Sequence, residues 1–95
     1  MENSIAQFEV TFTILIDNKL NIVGSVLEGD FSVGDYLIFE KDNEVFKRKI
    51  LSLGTISNRE RKLIFNLRIE CKNKIEKASL NNWNPSSVIA NIISQ

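Results

Sequence analysis

Gly24-Ser25-Val26-Leu27-Glu28-Gly29-Asp30-Phe31-Ser32-Val33-Gly34-Asp35 holds three of the chain's four glycines. Gly29-Asp30 and Val33-Gly34-Asp35 are turn signals placed close together. Phe31 and Val33 lie between them, and the expected arrangement is a tight connection that pins both side chains into a core as a plug. Alternating apolar segments stand on either side, so the stretch reads as a corner between strands.

Upstream, residues 8–16 run Phe-Glu-Val-Thr-Phe-Thr-Ile-Leu-Ile. The period-two pattern predicts a strand with Phe8, Val10, Phe12, Ile14 and Ile16 inward and Glu9, Thr11 and Thr13 outward. Asp17-Asn18-Lys19 supplies residues that tolerate left-handed backbone, so Leu20 to Leu27 returns as a hairpin partner. Downstream, Asp35 to Glu40 is a short strand and Lys41-Asp42-Asn43 a turn of hairpin length. Residues 44–56 make a longer strand whose inward parity changes near Ile50-Leu51, as at a bulge. Gly54 suits a bend there. Arg61 to Glu70 alternates again, with Leu63, Phe65, Leu67 and Ile69 inward. Residues 71–87 break the rhythm: Lys72 to Ala78 fits one or two helical turns, Ser79 to Pro85 reads as loop, and Val88 to Ile93 closes the chain. Six short strands and almost no helix predict one all-β domain over 1–95, with an ordered core at about 8–93. Strand count alone leaves a small barrel or a sandwich open.

The spacing Gly24-x-Val26-x-x-Gly29-x-x-x-Val33-Gly34-Asp35 resembles the second, β-barrel domain of translational GTPases such as elongation factor Tu. An alternating strand before it, a short strand after it and the later charged segment Lys74-Ile75-Glu76-Lys77 extend the resemblance over roughly residues 8–93. It implies the fold, a small six-stranded Greek-key-type barrel, and carries no function over. The chain departs from that pattern in carrying Lys19 where the family usually has a glycine, and in lacking a glycine near the start of the fifth strand. There is no Gly-x-x-x-x-Gly-Lys-Ser/Thr phosphate loop and so no GTPase domain. The tRNA contacts of that family do not map onto residues here.

Chemistry is sparse. The 95 residues contain no histidine and one cysteine, Cys71, which removes the usual general base, metal ligand and disulfide. With no histidine to pair with, Cys71 reads as an inert strand-end thiol. The pairs Asp30/Asp35 and Asp42/Glu44 sit in turns, where carboxylates cap backbone. The sequence thus predicts no enzyme, no catalytic residue, no cofactor and no metal. Signal-peptide features are lacking and no apolar run approaches the roughly 20 residues of a membrane span, so a cytoplasmic protein without a membrane role is expected.

Charge is segregated. Residues 1–45 hold nine acids against two bases, and residues 46–95 hold ten bases against three acids, a split of −7 and +7 within zero net charge. Lys47, Lys49, Arg61 and Arg68 on adjacent strands make a basic stripe, unless barrel closure sets acids beside them. Lys72 and Lys74 extend it. Trp83, in Asn81-Asn82-Trp83-Asn84-Pro85, is read either as a cap on an open barrel end or as a partner anchor. The candidate partner-binding residues are therefore Lys47, Lys49, Arg61, Arg68, Lys72, Lys74 and Trp83. The expected function is a non-enzymatic binding or adaptor module for a protein partner, with RNA the less supported ligand. The alternative is a small cytosolic inhibitor or immunity-type protein that neutralises its partner. Self-association through an unclosed edge strand is a further expectation.

Overall fold

A computed structural model describes residues 4–57, 63–85 and 87–95. The chain forms β1 (Ser4–Ile16), β2 (Lys19–Gly29), β3 (Tyr36–Lys41), β4 (Glu44–Ser57), β5 (Leu63–Ile69), the short helix α1 (Lys74–Leu80) and β6 (Val88–Ile93). All neighbouring strands are antiparallel, and they close in the order β1-β2-β5-β4-β3-β6. Placing β2 beside β5 next to the β3-β4-β5 meander is a Greek-key path. Because the sheet closes, no strand among the described residues is left as a whole edge. The core runs through Phe8, Val10, Leu20, Ile22, Leu37, Phe39, Ile50, Leu67, Ile69, Ala90 and Ile92.

Two-residue turns set the hairpins. Asp17-Asn18 and Asp42-Asn43 all have positive φ between 52° and 65°, the twist-matched turn that joins strands with little splay. At the other end of the barrel, the carboxylate of Asp35 accepts from the backbone N–H of Ser32 at 2.8 Å and of Gln95 at 3.3 Å. Asp35 is spent on holding the corner.

Four inward assignments made from the sequence need correction. Phe12, Ile14 and Ile16 point outward and are 37–40% exposed, whereas Thr13 is buried. The cause is a bulge: Val10 pairs with Gly24 and Phe12 with Val23, leaving Thr11 as the extra residue. One inserted residue reverses every later side chain of the strand. Val33 is half exposed and plugs nothing, while Phe31 packs on the core and tilts against Phe65 at 6.4 Å. The parity change expected near Ile50 agrees with a register shift between Ile50 and Ser52.

Thr13, read as solvent-facing, is the clamp of the long connection. Its hydroxyl donates to the carbonyl of Leu80 and accepts from the N–H of Trp83 at 2.9 Å, and its own N–H donates to the carbonyl of Trp83 at 2.8 Å. A Thr13→Val change keeps the shape and strands both side-chain partners in a buried setting. It should cost about 2 kcal/mol, read as a lower urea midpoint with the slope unchanged.

Candidate functional site

Period two along β4 puts Lys47 and Lys49 on the outer face and turns Arg48 the other way, at the barrel rim. Across the ladder, Ile38 pairs with Lys47 and Tyr36 with Lys49. The ammonium of Lys47 lies 5.0 Å from the Tyr36 ring centroid. After β5 the chain stays close to β4, because the Glu70 N–H donates to the Lys49 carbonyl at 3.1 Å. That bond brings Lys72 beside Lys47 and Lys49.

Arg48 is removed from the basic surface. Its guanidinium grips the Glu76 carboxylate with two hydrogen bonds, Nε to Oε2 at 2.8 Å and Nη2 to Oε1. It also sits 5.3 Å from the Phe46 ring centroid. The Lys72 N–H donates to Glu76 at 2.8 Å, and the Glu76 N–H donates to the capping side chain of Asn73 at 2.8 Å. These contacts tie α1 to β4. They hold the Glu76 carboxyl below the usual carboxylate range, chiefly through the Arg48 hydrogen bonds and against some desolvation, and raise Arg48 in turn.

A depressed carboxylate stabilises the fold above its unfolded pKa and loses that effect as pH falls through its folded value. Glu76→Gln should therefore cost about 1–2 kcal/mol at pH 7. The gap to the parent should close on acidification below the ordinary glutamate pKa of about 4.3. Urea midpoints measured from pH 7 to pH 2 check this, and a gap constant over that range would refute it.

Two open grooves flank the Glu70-Cys71 corner. One, of about 400 Å³, is lined by Tyr36, Lys47, Arg48, Lys49, Lys72 and that corner. The other, of about 310 Å³, has an apolar floor of Leu20, Leu51 and Ile69 and a rim that includes Lys19, Arg68, Lys74 and Lys77. Glu70 is the one acid lining either groove among the described residues. The half-buried Cys71 thiol is pushed up by burial and by the nearby Glu76, which makes it a poorer nucleophile.

Of the residues singled out from the sequence, Lys47, Lys49 and Lys72 thus share one groove and Arg68 and Lys74 the other, with the grooves adjoining. Arg61 lies outside the described residues. Trp83 lines neither groove: it packs on the core with its ring 5.8 Å from that of Phe39 and borders a separate hollow with Phe12 and Ile14. That is the capping placement. Sequence reasoning missed Lys19 and Tyr36 as groove residues. Lys19 reaches the basic rim because β2 pairs with β5, a contact between strands far apart in sequence, whereas Tyr36 was within reach of the β3–β4 hairpin parity.

Comparison with protein-family models, curated proteins and solved structures finds no match. No helix among the described residues is long and apolar enough to cross a membrane.

Proposed function

We propose that this chain is a non-catalytic binding module, a stand-alone translation-factor-like barrel that docks a protein partner on its basic face. One placement carries the reading. Lys47, Lys49 and Lys72 line one groove and Arg68 and Lys74 the next, with a single lining acid, Glu70, among the described residues. A one-signed surface of this kind steers and orients an acidic partner. Of the groups that sequence reading weighed for chemistry, Asp35 accepts a backbone N–H in its turn and the Cys71 thiol is pushed up by burial. A cytoplasmic setting goes with this proposal.

The test is retention of a stoichiometric protein partner from native lysate on the immobilised barrel, quantified for charge-reversal variants. Lys47→Glu combined with Lys49→Glu should lower retention at least tenfold. Ser94→Glu, at the exposed C-terminal end, should leave it unchanged. Retention indifferent to the double reversal sinks the reading. Recovery of RNA alone, with affinity falling steeply as salt rises, replaces it with the nucleic-acid alternative.

A further inference from the structure

Within the proposed docking face, on which this inference rests, the groove beneath α1 has the more specific chemistry. Arg68 lies on the outer face of β5, paired with Asn21 of β2 and Ser52 of β4. Its Nε is buried and has no hydrogen-bond partner among the described residues. Two neighbouring amides bond elsewhere: Asn66 donates to Asn21 Oδ1 at 3.1 Å and Asn21 donates to the Lys19 carbonyl at 3.0 Å. A buried guanidinium N–H left unpaired is costly, and an anion is its natural complement.

The rim adds to that demand. Lys19 on β2 and Lys74 and Lys77 on α1 converge on the same space of about 310 Å³ as Arg68. Lys77 gives one hydrogen bond to the Asn18 carbonyl at 3.1 Å. Four cations face one lining acid among the described residues, the exposed Glu70. A single carboxylate would answer Arg68 and leave most of the remaining charge unmet. A phosphate monoester carries about −1.5 to −2 charge and three acceptor oxygens, which matches a net lining charge of about +3 far better.

We infer that this groove is a binding site for a phosphate monoester, with Arg68 supplying the planar fork and Lys19, Lys74 and Lys77 the surrounding charge. The ester comes either from a phosphorylated side chain of the protein partner or from a small phosphorylated molecule. A phosphodiester, with one charge and two free oxygens, fills the site less well.

The test is an amide-resolved NMR titration of the full chain with O-phosphoserine, inorganic phosphate and dimethyl phosphate. Phosphoserine should shift Arg68 to Lys74 and the Arg68 side-chain N–H saturably, and bind at least tenfold more tightly than dimethyl phosphate. Arg68→Gln should weaken it at least tenfold, and Lys19→Gln with Lys74→Gln, both exposed positions, should do the same without touching the core. Lys47→Gln should have no effect. The urea midpoint of Arg68→Gln without phosphate should stay level or rise, because the lost N–H had no partner; a fall would assign Arg68 a structural role. Non-saturable shifts, equal binding of the diester, or indifference to the variants would overturn the site. A phosphoserine peptide that binds more tightly than free phosphoserine places the ester on a partner protein, and equal affinity assigns it to a small molecule. If Lys47→Glu with Lys49→Glu leaves partner retention intact while phosphoserine still binds through Arg68, the docking reading fails and the site stands.

Discussion

A Gly24→Ala protein should unfold at a far lower urea concentration than the parent, with a loss of about 3 kcal/mol, the upper end of overpacking costs. A Cβ at position 24 would sit 1.9 Å from the Glu9 carbonyl oxygen and 2.8 Å from the Phe8 ring. The oxygen belongs to backbone, so relief requires β1 and β2 to move apart at the bulge where Val10 pairs with Gly24. Phe8 is fully buried in the core, which closes the other way out. The expected cost is therefore a separation of two core strands, well above the roughly 0.5 kcal/mol of a surface change. Equilibrium urea unfolding checks it, and a shift under about 1 kcal/mol would show that the hairpin yields easily.

Leu80→Ala should cost about 2–5 kcal/mol. Leu80 is fully buried and is the one buried residue of α1, so it fixes the helix over the barrel end. Its loss leaves a cavity with little to collapse into it, since the neighbouring Trp83 is held by Thr13. The urea midpoint should fall and amide exchange should quicken over 70–85 before the strands open. Ile75→Ala on the same helix, at 80% exposure, should change stability by less than about 0.5 kcal/mol. Equal effects at the two positions would mean that α1 does not close the barrel through Leu80.

Much of the barrel is legible in local pattern. Alternation marks the strands, and Asp-Asn pairs mark the hairpins because only residues tolerant of positive φ suit those turns. The Ile50 bulge shows as a change of apolar parity. The Thr11 bulge leaves no such trace, because Phe12, Ile14 and Ile16 continue the apolar rhythm on what becomes the outside. The candidate site divides in the same way. Lys47 and Lys49 lie on one face by period two, which any strand imposes. The removal of Arg48 by Glu76 spans 28 residues, and no local rule predicts it.

By itself the sequence determined the six strands, their turns, the −7/+7 charge split and the lack of histidine-based chemistry, since each follows from periodicity, backbone preference or composition. Only the tertiary structure decided that Thr13 faces inward as a clamp, that Trp83 caps the core, and that Arg68 meets Lys19, Lys74 and Lys77 over one groove. Those facts depend on β2 pairing with β5 and on α1 folding across β4. Such contacts join residues distant in the chain, and what sets them is closure of the sheet and burial of its apolar face.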